Sequence, residues 1–209
     1  MGEVRARSDA EVAARRQQIL DAAERQLMEH DPDEVTLATI AADLSISRPS
    51  LYNYYPNKEE ILIDLLVREY RSLEDALGRF LETRLSRETF CEEMADLLLS
   101  RKTLLKLLAL QLPVFNREFD ESAFRRFAQG SASYAKVMRE VLAFQFPKAS
   151  DEERNMFFVQ LSLLANTLFQ LTELSSEMID SMVEVGAYDH IPSPRDICIE
   201  TLMKLSDGM

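Results

Sequence analysis

The stretch from Thr36 to Pro56 restricts the fold most. Leu37, Ile40, Ala41 and Leu44 fall at i, i+3, i+4 and i+7, one apolar face of a short helix. Thr36 stands where an N-cap belongs. The next three residues, SIS, form a tight turn. Ser47 can cap a following helix, Pro49 is tolerated in its first turn, and Pro56 ends it. On that second helix Leu51 and Tyr55 share a face, four residues apart, and can pack on Leu37, Ile40 and Leu44.

Helical spacing continues on both sides, and no strand pattern or internal repeat is present. Ile19, Leu20, Ala23 and Leu27 predict a helix from Glu11 to about Glu29, preceded by a flexible arm over residues 1 to 10. Asn57 and Glu60 predict the start of a fourth helix that runs to about Arg84. Later breaks are expected near Ser86, Ser100, Pro113 to Asp120, Phe146 to Ser150, Ser175 and Gly186 to Ser193, with a last helix over 194 to 206. Only 5 glycines, 7 prolines and no tryptophan occur in 209 residues, in keeping with an all-α chain.

The short helix starting at Arg48 turns Pro49, Ser50, Tyr52 and Asn53 outward, with Tyr54 on the flank. No carboxylate occurs between Leu44 and Lys58, in a chain with 36 acidic residues. A surface kept free of acids is one that approaches something negative. Helix, three-residue turn and helix is helix-turn-helix geometry, whose second helix enters the DNA major groove. Arg48 can contact guanine bidentately or clamp a phosphate, and Asn53 can read an adenine edge. Thr36 and Lys58, at helix starts, can hold phosphates.

Residues 15 to 65 resemble the TetR family of bacterial transcription regulators. The resemblance lies in RQQILDAAERQLME, then in VTLATIAADLSISRPSLYNYYPNKEEILIDLL. It implies an all-α homodimer, with an N-terminal three-helix helix-turn-helix domain and a C-terminal helical bundle domain that binds effectors. The corresponding division is 1–60 for DNA binding and 61–209 for effector binding and dimerisation. The family's DNA contacts fall on Thr36, Arg48, Pro49, Ser50, Tyr52, Asn53, Tyr54 and Lys58. This chain departs from the family in placing Ser45 at the first turn position, where glycine is usual, and HDPDE after the first helix.

Charge argues the other way. The chain carries a formal net charge of -12, which disfavours non-specific nucleic-acid binding and anionic membranes. Residues 1 to 60 hold seven basic and twelve acidic residues. Arg5, Arg7, Arg15, Arg16, Arg48 and Lys58 are the candidate phosphate partners, with Arg5 and Arg7 on an arm able to reach a minor groove. The acids cluster at 29 to 34 and 59 to 60, away from the reading face, although Asp43 is near it.

Phe157, Leu161, Leu164, Leu168 and Leu171 form one stripe of a helix that is apolar on more than one face. With Cys198, Leu202 and Leu205 of the last helix they are the candidate dimer interface. Phe115, Phe127, Tyr134, Met138 and Phe169 are the candidate lining of a pocket for an apolar small-molecule effector; such residues also serve simply as core. The small-residue run AQGSAS at 128 to 133 fits close helix packing. Two cysteines without CxxC spacing, no signal or membrane-spanning run, and two isolated histidines fit a cytoplasmic protein without metal or cofactor. No catalytic constellation stands out, so an enzyme is not expected. The expected function is a transcriptional repressor on a double-stranded operator, released by its effector. The alternative is a helical small-molecule-binding or protein-interaction module that does not read DNA.

Overall fold

A computed structural model of the chain describes residues 2–110 and 121–209, with side chains from Asp9 onward. All regular structure among these residues is helical: α1 Gly2–Glu29, α2 Leu37–Asp43, α3 Arg48–Tyr52, α4 Lys58–Leu77, a 3₁₀ turn Gly78–Leu81, α5 Arg87–Ser100, α6 Lys102–Ala109, α7 Glu121–Gln145, α8 Asp151–Thr172, α9 Ser176–Glu184 and α10 Pro194–Leu205. No helix of the described residues is long and apolar enough to cross a membrane. Two compact units result. One takes residues through Glu69 with the described part of 112–130; the other takes Tyr70–Gln111 and Ser131–Met209. Both α4 and α7 contribute residues to each unit.

In the first unit α1 begins at Gly2, nine residues before the predicted start at Glu11. The expected arm is the opening of the helix. Ile19, Ala22, Ala23 and Leu27 are fully buried, with Ile40, Ala41 and Leu51 from the short helices, Val35 and Tyr55 from the segments beside them, and Ile61, Leu62 and Leu65 from α4. Each fully withdrawn Ile, Leu or Val side chain contributes roughly 1.5–3 kcal/mol. Arg68 ties α4 to α1, with Nη1 donating to Asp21 Oδ1 and Nη2 to Glu24 Oε2, each at 2.6 Å. Gly130 packs so closely on Val67 that a Cβ there would lie 2.9 Å from a valine methyl. In that sense one member of the small-residue run is a packing glycine.

The turn between α2 and α3 is a Schellman closure. Ile46 N–H donates to Ala41 O and Ser45 N–H to Ala42 O, each at 3.0 Å. The geometry requires a left-handed residue, and Ser45 takes it at φ 53°. Thr36 and Thr39 cap α2 reciprocally. Thr36 Oγ1 accepts from Thr39 N at 3.1 Å, and Thr39 Oγ1 accepts from Thr36 N at 2.9 Å.

In the second unit α6 packs on α8, and α10 packs on α5 and α8. The core is aromatic at one end. Phe90 meets Phe80 and Phe146 edge to face, at 5.5 and 5.0 Å between centroids. The fourth helix stops at Leu77 and tightens into the 3₁₀ turn at Gly78, short of the expected Arg84, because glycine is a poor continuation. The chain after it is held by a buried glutamine. Gln145 Nε2 donates to the Phe80 and Thr83 carbonyls, and Gln145 Oε1 accepts from Leu85 N–H at 2.9 Å.

Candidate nucleic-acid interface

The sequence of α3 sorts its side chains by depth. Leu51 is fully buried and Tyr55, just beyond the helix, nearly so, while Arg48, Pro49, Tyr52 and Asn53 are exposed and Ser50 and Tyr54 half-buried. Of the predicted outward set, Pro49, Tyr52 and Asn53 are exposed, and Ser50 is only half so. Ser47 caps the helix, its Oγ accepting from Ser50 N at 3.2 Å, and it shares a 2.8 Å hydrogen bond with the Ser50 hydroxyl. Ser50 thus offers a partner only its remaining hydrogen-bonding capacity.

Arg48 and Tyr52 are preorganised together. Arg48 Nη2 donates to Tyr52 OH at 3.0 Å, and the guanidinium lies 5.6 Å from the ring centroid. The pair presents a planar cation backed by an aromatic face, suited to a phosphate or a guanine edge. Asp43, the nearest acid, is neutralised by Arg25 Nη2 at 2.8 Å.

Two expected phosphate contacts are already engaged within the unit. Thr36 is exposed, but its hydroxyl serves the α2 cap. Lys58 is half-buried, and its Nζ donates to Pro32 O at 2.9 Å, tying the loop after α1 to the start of α4. The loop departure at HDPDE is thereby tied to a residue of the family pattern. Arg16 is likewise used internally, donating from Nη2 to Tyr54 O at 3.1 Å. The side chains of Arg5 and Arg7 lie outside the described residues.

Sequence reasoning missed what holds α3 from beneath. Tyr55 OH donates to Asp64 Oδ2 at 3.0 Å, Arg16 lies over the Tyr55 ring at 5.0 Å, and Arg126 donates from Nε to Asp64 Oδ1 at 2.7 Å. Burial, and then the charge of Asp64, raise the Tyr55 phenol well above its ordinary value, so it stays a neutral donor. No local motif joins residues 62 apart in the chain, so spacing carried no signal for the pair.

Of the candidate pocket residues, Phe115 lies outside the described residues. Phe127 is half-buried in the first unit. Tyr134, in the second, stacks on Tyr70 at 5.1 Å and meets Phe158 edge to face at 5.7 Å. Met138 is fully buried, and Phe169 is half-buried beneath Lys106 at 5.7 Å.

The candidate dimer residues are divided. Phe157, Leu161, Leu168, Cys198 and Leu202 are buried within the single chain, so they fill its own core and are not open to a second subunit. Leu164, Leu171 and Leu205 are half-buried. The open stripe of α8 is instead Met156, Val159 and Leu163, the last 61% exposed. The 3.6-residue period showed that α8 has several apolar faces, but not which one the chain itself covers. Both cysteines are buried thiols, and burial pushes Cys198 up to about 12. Among the described residues no group of His, Cys, Asp and Glu could hold a metal ion.

Comparison with known proteins gives two family matches. Residues 19–65 match bacterial regulatory proteins of the tetR family, and residues 67–184 match the tetracyclin repressor-like C-terminal domain. No curated protein matches the chain. Among solved structures, a transcriptional regulator of the TetR/AcrR family from Thermobifida fusca is 15% identical over 94% of this chain and 99% of its own, with a TM-score of 0.58. The fatty acid degradation regulator FadR of Bacillus halodurans is 17% identical over 92% and 94%, with a TM-score of 0.57. FadR of Bacillus subtilis, solved with stearoyl-CoA, is 17% identical over 92% and 98%, with a TM-score of 0.54. At such identities the likeness is one of fold. The two family matches together span most of the chain, the second alone more than half of it, and the chain belongs to the TetR family of bacterial regulatory proteins.

Proposed function

We propose that this regulator acts as a homodimeric repressor, reading an inverted-repeat operator with α3 and released by an apolar small molecule. The observation that supports it best is the sorting of α3. Leu51 and Tyr55 fix the helix to the unit's core, and Arg48, Tyr52 and Asn53 stand outside on an edge without acids. Direct contacts would come from Arg48, Tyr52 and Asn53, with Pro49, Ser50 and Tyr54 at the backbone. Thr36 and Lys58 would exchange part of their internal bonding for phosphate. Dimerisation would use Met156, Val159 and Leu163, an exposed stripe that a second copy would cover.

An effector is suggested by the aromatic group of Tyr70, Tyr134 and Phe158 in the second unit. Two structural neighbours were solved with small-molecule ligands, FadR of Bacillus subtilis with stearoyl-CoA and EbrR with ethidium. Effector binding would lower the population of the DNA-competent dimer.

Selection of bound duplexes from a random-sequence library tests the reading. The expected product is a pair of inverted half-sites spaced by about one helical turn, 34–36 Å, or a multiple of it. Selection that enriches no sequence would favour the alternative, a helical binding module that does not read DNA, to which the net charge of -12 lends its support. Adding long-chain acyl-CoA or a lipophilic dye to the bound complex then tests release.

A further inference from the structure

Glu60 and Asp64 lie four residues apart on α4, with side chains only 8% and 13% exposed. Like charges at that spacing repel, and largely withdrawn from water they need a cation. Arg126, near the start of α7, supplies it. Its Nε donates to Asp64 Oδ1 at 2.7 Å and its Nη2 to Glu60 Oε2 at 3.1 Å, while Nη1 reaches Ser122 Oγ at 3.2 Å. All three nitrogens of the guanidinium are engaged, so its orientation is set.

The second oxygen of Asp64 is committed to the far end of α3. It accepts from Tyr55 OH at 3.0 Å, and Arg16 Nη1 stands 3.8 Å away. Arg16 also holds the Tyr54 carbonyl. Tyr54 and Tyr55 are the residues that leave α3, and their backbone N–H groups still bond to Leu51 O. The end of the helix is therefore moored through one hydroxyl and one carbonyl, and both moorings converge on Asp64 and Arg16. Without Arg126, Asp64 would be left with Glu60 beside it and Arg16 as its nearest cation. Asp64 and the Tyr54 carbonyl would then compete for one guanidinium.

We propose that Arg126 is a positioning residue for DNA reading: through Asp64 and Tyr55 it sets the tilt of α3, so a displacement of the first turns of α7 changes how well the helix docks. The proposal rests on the reading of α3 as the DNA-reading helix. Arg126 acts through the carboxylate it holds, and its role is separate from the side chains that face the duplex.

The test uses the full chain, a duplex that the wild type selects from a random library, and an unrelated duplex of equal length. Fluorescence anisotropy gives both affinities for wild type, Arg126→Gln, Arg126→Lys, Tyr55→Phe and the Arg126→Gln/Tyr55→Phe double variant. Arg126→Gln is expected to weaken the selected duplex about tenfold. Binding to the unrelated duplex should stay within about twofold, because contacts made to phosphates alone do not need the tilt. Arg126→Lys should recover part of the loss. The double variant should bind little worse than the weaker single variant, since both changes cut one path.

Equal weakening on both duplexes would mean lost folding and no positioning role, and would overturn the proposal. So would an unchanged ratio, or losses that multiply in the double variant. Should Arg126→Gln fail to fold, Tyr55→Phe removes a single hydroxyl and must by itself lower the ratio. A wild type that selects no sequence removes the DNA-reading function and the positioning role with it. Selection by the wild type, with variants unaffected, removes the positioning role alone.

Discussion

Ser45 carries a side chain where the closure of α2 asks for a left-handed backbone, at φ 53°. For an L-residue that conformation costs roughly 1–2 kcal/mol relative to the right-handed one, a cost glycine escapes. Ser45→Gly is therefore expected to stabilise the fold by about 1 kcal/mol, which in a chain of this size raises the midpoint of thermal unfolding by about 2–4 °C. Circular dichroism at 222 nm checks it, and a lower midpoint would mean that the serine side chain contributes a bond of its own. Tyr52 and Asn53 pose the opposite case, being exposed and remote from the core. Tyr52→Ala and Asn53→Ala should leave the midpoint unchanged while each weakens operator binding by about 1–3 kcal/mol. Unchanged binding in both would move the reading face elsewhere.

At the scale of helices, what could be read in advance was what is local. Ser86, Ser150 and Ser175 were predicted breaks, and each is an N-cap whose hydroxyl accepts from the N–H three residues on. Such caps are written within four residues of sequence. The tight turn at SIS was legible for the same reason, though its Schellman bonding came only with the structure. The grip of Gln145 on Phe80, Thr83 and Leu85 was not, because its partners are 60 or more residues distant. Gln145→Leu would remove all three of these hydrogen bonds, the one to Phe80 buried and the other two partly so, at a cost of about 2–4 kcal/mol. Urea unfolding followed by circular dichroism should show the loss, and a smaller one would mean that water enters the gap. The faces of α8 illustrate the same limit. Periodicity could not tell that Phe157 and Leu161 meet their own subunit, nor that Leu163 meets solvent. Leu163→Glu should leave the chain folded, since it alters an exposed position, and shift sedimentation from the proposed dimer to the monomer. A variant that remains dimeric would relocate the interface to other half-buried residues.

For the whole molecule, charge is the governing quantity. Among the described residues of the first unit, four cations are not free to displace counterions, because Arg16, Arg25, Arg68 and Arg126 are spent on Asp64, Asp43, Asp21, Glu24 and Glu60. The slope of log affinity against log salt for the operator should therefore be shallower than about -8. A titration from low to high potassium chloride measures it, and a steeper slope would show that more phosphates are engaged than these residues provide. The acid-free edge on α3 is thus a small island on a molecule that polyanions otherwise repel. Such a regulator would spend little time gliding along random chromosome sequence and would find its site chiefly by fresh collisions from bulk solution. Its occupancy would then follow copy number more directly than genome length.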